Sequence, residues 1–149
     1  MNIVKTIDQY NKDYVYFCDS IKNNIINDGS FIRILYTTPN FTLNGIFILL
    51  LLHDVTSERY YNKYKYNFNT NIHNLLIENI KTVEETILTK YDCINKTPQY
   101  KIYEQMKCGN IKIFCDDIKN NNNHYFILKI SGIWETELHY GLTYKFIKI

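Results

Sequence analysis

The chain has 149 residues, 46% of them hydrophobic, which is enough to fill the core of one domain and excludes wholesale disorder. Its formal charge is only +2, so it lacks the strong basic signature of a dedicated duplex-DNA binder. Alanine is absent, arginines and prolines number two each, and fourteen tyrosines accompany runs of Asn, Ile and Lys. Codons for these residues are AT-rich, so nucleotide bias in an AT-rich organism or virus explains the runs without any functional role.

Residues 1–12 carry neither the hydrophobic stretch nor the cleavage site of a secretory signal. The apolar run 46–52 is far shorter than the roughly 20 residues that span a bilayer. The expected setting is the host cytoplasm or a virion interior, with no membrane partner. A short strand is predicted at 14–18 (YVYFC), followed by polar residues and a turn at Asp28-Gly29. Residues 30–38 (SFIRILYTT) alternate, placing Ile32, Ile34 and Tyr36 on one face and Phe31, Arg33 and Leu35 on the other. Residues 41–53 (FTLNGIFILLLLH) are apolar on both faces, as in a strand covered on both sides, and Gly45 marks a bulge or bend. A third strand is predicted at 60–68 (YYNKYKYNF), with Tyr64, Tyr66 and Phe68 opposite Lys63 and Lys65.

The clearest helix follows, over 71–90 with Asn71 as N-cap. Ile72, Leu75, Leu76, Ile80, Val83, Ile87 and Leu88 form its apolar stripe, while Glu78, Lys81, Glu84 and Glu85 take other, solvated faces. Pro98 opens a segment predicted as a short helix stopped by Gly109. Strand character returns at 111–115, and 124–134 with 141–149 read as a terminal antiparallel pair. The expected class is a β-rich α+β fold: an OB-like barrel of five to six strands with one long helix after the third strand. One domain is expected, with 1–28 as an N-terminal extension bearing a short strand and 29–149 as the OB-like core.

No phosphate-binding glycine loop, nucleophile elbow or paired-histidine motif occurs, so neither an enzyme nor a cofactor is expected. Cys18, Cys93, Cys108 and Cys115 lack metal-ligand spacing and read as free thiols in a reducing compartment. His53, His73, His124 and His139 are isolated, and Asp116-Asp117 reads as a solvated loop.

What remains is the interleaving of aromatic and basic residues. Proteins that bind single strands combine cations for the phosphates with aromatic faces for the bases. Candidate platforms are Tyr36, Phe47, Tyr61, Tyr64, Tyr66, Phe114, Trp134 and Tyr144. Candidate phosphate partners are Arg33, Lys63, Lys65, Lys112, Lys129 and Lys145. The competing reading takes the aromatics as core and cross-strand packing.

The stretches Lys129-Ile-Ser-Gly-Ile-Trp-Glu135 and Tyr140-Gly-Leu-Thr-Tyr-Lys-Phe146 resemble the end of short proteins of nucleocytoplasmic large DNA viruses. Ser30-Phe-Ile-Arg-Ile-Leu-Tyr36, Leu43-Asn-Gly-Ile46 and Gly109-Asn-Ile-Lys-Ile-Phe114 are similar in the same way. The Gly-Leu-Thr-Tyr-Lys-Phe strand also resembles the closing strand of phage-type OB-fold single-stranded-DNA-binding proteins. That resemblance implies a role in viral DNA replication, recombination or packaging, with single-stranded DNA or RNA as partner and a homo-oligomer as a further expectation. The chain departs from those proteins in ending on a basic, apolar strand where they carry an acidic tail. The alternative is a non-enzymatic virion structural or minor capsid protein that works through protein–protein contacts.

Overall fold

The computed structural model describes residues 4–23, 29–114 and 125–149; Cys115, Asp116, Asp117 and His124 lie outside these. Two single-turn 3-10 helices, Ile7–Gln9 and Lys12–Tyr14, lead into strands β1 (Val15–Asn23), β2 (Gly29–Thr37), β3 (Thr42–Leu43), β4 (Ile46–Leu51), β5 (Thr56–Tyr60) and β6 (Lys63–Asn67). After helix α1 (Asn74–Tyr91) come β7 (Thr97–Gln99), helix α2 (Lys101–Lys107), β8 (Asn110–Phe114), β9 (Tyr125–Glu135) and β10 (His139–Lys148). The β-rich α+β class is as expected. The described strands form two sheets, however, and do not close into a barrel. In chain order α1 follows six strands, because the expected strand 41–53 is divided into β3 and β4 and an unexpected strand, β5, precedes β6.

Both departures have a backbone cause. Gly45, at φ +119°, separates β3 from β4, and a Cβ there would lie 3.0 Å from the Ile130 carbonyl oxygen. Tyr61, at φ 54°, reverses the chain so that β5 and β6 pair as a hairpin, Tyr60 opposite Lys63. β5 is exposed along its whole length and so carries no apolar alternation to announce it.

The larger sheet runs β1-β2-β9-β10-β7, with β3 on β2 and β4 on β9. β9 is its spine. One edge of β9 pairs with β10 along most of its length; the other pairs first with β4 and then with β2. The predicted extension is an integral part of this sheet, since β1 pairs with β2 from Val15 to Asn23. The smaller sheet, β5-β6-β8, is antiparallel throughout.

Alternation then sorts the side chains. Ile32, Ile34, Ile48, Leu128 and Ile130 point inward to a core that also takes Ile80, Ile87 and Leu88 of α1 and Ile102 and Met106 of α2. Ile111 and Ile113 of β8 join it from the smaller sheet, and the Tyr66 ring meets Phe126 edge-on at 5.1 Å. The inner faces of the two sheets therefore meet, and their other faces point outward.

On the outward face of the larger sheet, Gly132 admits no side chain. A Cβ would fall 2.4 Å from the Ile32 carbonyl oxygen and 2.5 Å from the Phe31 ring. Gly132→Ala is expected to cost at least about 1–3 kcal/mol through this overpacking, seen as a lower denaturant midpoint.

The helix prediction needs three corrections. α1 begins at Asn74 with His73, not Asn71, at the N-cap. Ile72 and Leu75, expected in the apolar stripe, are 55% and 76% exposed. Glu84, expected in solvent, is buried, and its carboxylate accepts hydrogen bonds from Ile102 N–H (3.0 Å) and Tyr103 N–H (2.9 Å) at the start of α2. A first-turn N–H has no partner within its own helix, and here a neighbouring helix supplies one.

Candidate nucleic-acid interface

The ten residues expected to bind nucleic acid fall into three groups. Tyr36, Tyr64 and Tyr66 lie on inward faces. Tyr36 is buried, its hydroxyl oxygen accepts from Asn11 N–H at 3.1 Å, and the Lys5 ammonium sits 4.1 Å from its ring centroid. Burial pushes that Lys5 ammonium down to about 8. Tyr66 is also buried, and Tyr64 is half-buried beside it, with ring centroids 6.3 Å apart. Buried rings offer no face to a base, so Tyr36 and Tyr66 serve as core. Strand alternation did place Tyr64 and Tyr66 on the face opposite Lys63 and Lys65; which face was inward depended on sheet packing.

Lys63, Lys65 and Lys112 form the second group, on the outward face of the smaller sheet. Cross-strand pairing aligns them in rows: Tyr60, Lys63 and Phe114 in one, Glu58, Lys65 and Lys112 in the next. Together with Arg59 these residues line an open groove of about 300 Å³, Phe114 alone standing beyond its lining. Lys63 Nζ lies 4.9 Å from the Phe114 ring centroid. Tyr60, Tyr61 and Phe114 are 63%, 82% and 51% exposed, and Tyr60 and Tyr61 meet edge-to-face at 4.7 Å on the hairpin tip. Tyr60 was missed as a platform; its place opposite Lys63 follows only once the hairpin register is known. Tyr61 occupies a left-handed turn position that glycine, asparagine or aspartate would fill with less strain.

Arg33, Lys129, Trp134 and Lys145 form the third group, on the outward face of the larger sheet. Lys129 stands between Phe47 and Lys145 across three strands, and its ammonium is 5.6 Å from the Phe47 ring centroid. Arg33 is opposite Gly132, and Trp134 is opposite Phe31 and Gly141. The Trp134 ring lies against Gly141, with Lys101 Nζ 4.8 Å from its centroid. Trp134 therefore covers a gap in the sheet, and only part of it faces solvent. Tyr144 points inward, donating to Gln105 Oε1 at 2.7 Å, so it is not a platform.

Two other polar clusters are structural in geometry. Glu135, at the end of β9, accepts from Ser30 Oγ (2.9 Å), Tyr91 Oη (2.9 Å) and Cys93 Sγ (3.0 Å), with Lys96 Nζ at 4.0 Å. Burial would raise its carboxyl, but these donors outweigh it and hold the group below the usual range. Burial and the Glu135 carboxylate push the Cys93 thiol up to about 11. At neutral pH that thiol donates a hydrogen bond; it is not a thiolate nucleophile. His73, buried, takes His53 N–H on Nε2 at 2.9 Å, which leaves Nδ1 to donate to Asn69 O at 2.6 Å. That pair of bonds fastens the start of α1 to the chain leaving β4.

Among the described residues, no helix is long and apolar enough to cross a membrane. Comparisons with protein-family models, with curated proteins and with solved structures find no match to this chain.

Proposed function

We propose that this chain binds single-stranded nucleic acid across the outward face of the β5-β6-β8 sheet, in the service of DNA replication, recombination or packaging. One observation carries the reading: Lys63, Lys65, Lys112 and Arg59 line the same groove as exposed Tyr60, with Phe114 in the adjoining row. A single strand offers a repeating charge and a repeating π-face, and this surface has a partner for each. Lys65 stands directly opposite Lys112, a like-charge pair that destabilises a sheet on its own. Glu58 relieves one side of that repulsion, and a bound phosphate would relieve the rest. Tyr61, exposed on the hairpin tip beside Tyr60, adds a further aromatic face. The chemistry expected from the OB resemblance is kept, but its place moves from a barrel wall to a separate three-stranded sheet.

Titration of a fluorescently labelled oligodeoxythymidylate tests this at several salt concentrations between about 50 and 200 mM. Three or four phosphate contacts give a log–log slope of about −2 to −3, taking about −0.7 for each contact on a single strand. The Lys63→Gln, Lys65→Gln, Lys112→Gln triple variant is expected to bind at least about tenfold more weakly, with a slope shallower by about 2. Absence of binding by the unaltered chain at the lowest salt would refute the proposal.

A further inference from the structure

The larger sheet's outward face repeats the construction of the smaller one. On the smaller sheet a lysine pair, Lys65 and Lys112, stands directly across two strands, and another lysine, Lys63, rests against a phenylalanine. On the larger sheet Lys129 stands directly across from Lys145, and Lys129 also rests against Phe47. Arg33 is exposed on the same face, opposite Gly132. Across β4, β9 and β10 the cross-strand partners on this face include no Asp or Glu, and the acidic residue nearest in register, Asp19, sits in the β1 bulge across from Arg33 and away from the lysine pair.

A lysine pair with no acidic residue across from it, on a face that also carries Arg33, calls for an anionic occupant. The charge pattern also disfavours a second copy of the chain seated face to face, which would bring six cations together. Tyr16, exposed at the β1 edge of this face, adds an aromatic surface, and the partly exposed Trp134 adds another.

Because the inner faces of the two sheets meet at Tyr66 and Phe126, the two cationic faces look away from each other. A short strand bound to one cannot reach the other. We infer that one chain holds two separate segments of single-stranded nucleic acid, one on each sheet, and so bridges strands as well as coating them. This rests on the function proposed above and extends it to a second site and a second strand.

The measurement is the number of oligonucleotides bound per protein chain at saturation and low salt. Native mass spectrometry or sedimentation would read it, using an oligodeoxythymidylate of about six nucleotides, short enough to occupy one face only. Counting per chain makes the result independent of self-association. Two strands are expected for the unaltered protein. One is expected for Lys129→Glu with Lys145→Glu, and one for Lys65→Glu with Lys112→Glu. Lys129→Gln with Lys145→Gln serves as a milder pair, and circular dichroism checks that each variant is folded.

Two oligonucleotides of different colour should show energy transfer with the unaltered chain and lose it in either double variant. One strand per chain, lost with the smaller-sheet lysines, would overturn the second site and leave the first standing. No strand bound at all would overturn both. Two strands retained after the larger-sheet lysines are reversed would also overturn the assignment, as would binding of an acidic amphipathic peptide or of anionic vesicles to that face in place of the oligonucleotide.

Discussion

Phe126→Ala is expected to lower the unfolding free energy by about 3–5 kcal/mol, as a fall in the urea midpoint with little change in slope. Phe126 is 1% exposed at the start of β9 and is among the largest fully buried side chains. Its ring meets Tyr66 of the smaller sheet at 5.1 Å, and the Lys148 ammonium lies 5.2 Å from its centroid. Truncation removes the ring from the place where the two sheets touch. The walls on either side are paired strands, which can collapse into the void only partly, so both the transfer loss and the cavity penalty apply. An unchanged slope would mean that both sheets still unfold as one unit. A loss below about 1 kcal/mol would mean that this contact does not join them.

The second large effect depends on pH. Burial pushes the Glu84 carboxyl from the usual 4.5 up to about 7, even though the N–H groups of Tyr103 and Ile102 favour its charged form. The folded chain thus holds this proton more tightly than the unfolded chain does. The resulting stabilisation is fully present below the unfolded value and is lost as pH rises through the folded one. A shift of this size corresponds to at most about 3 kcal/mol. Glu84→Gln cannot titrate. Stability of the unaltered protein relative to this variant should therefore fall between pH 4.5 and about 7 and then level off. Urea unfolding of both proteins at intervals across that range measures the difference. A flat difference, or one that grows with pH, would contradict the buried, bonded carboxyl. Glu135 acts in the opposite sense and in a different window: its carboxyl is held below the usual range, so its contribution is lost only as the solution becomes more acidic.

The elements that could be read from the sequence are those with a buried face and an uninterrupted period. β2 alternates cleanly, β9 and β10 were visible as a pair, and α1 carried its stripe from Ile80 to Leu88. β5 was not legible, because a strand whose five residues all face solvent has no hydrophobic signature. β7 is three residues long around Pro98 and pairs in parallel with β10, which no local pattern encodes.

Glu84 was misplaced for a different reason. Its position continues the spacing from Ile77 and Ile80 to Ile87 and Leu88, which is the buried stripe, but its charge assigned it to a solvated face. The hydrogen-bond partners that reconcile the two come from another helix. The candidate site was legible in composition and not in assembly. The lysines were found along their strands, but their division between two sheets is a tertiary fact, and so is the burial of Tyr36 and Tyr66.

The position of β9 in the chain bears on how the protein is made. β4 takes its main partner, and β2 its second one after β1, from a strand that begins at Tyr125, so during synthesis both emerge long before the sheet can be completed. Until then Ile46–Leu51 is an apolar strand with its β9-facing edge unmatched. Such a segment collapses early or pairs with the wrong neighbour, and long-range pairings of this kind place a fold among the slower folders. Nascent chains stopped before Tyr125 are therefore where aggregation and chaperone capture should concentrate, and the emergence of β9 and β10 is the step that ends the hazard.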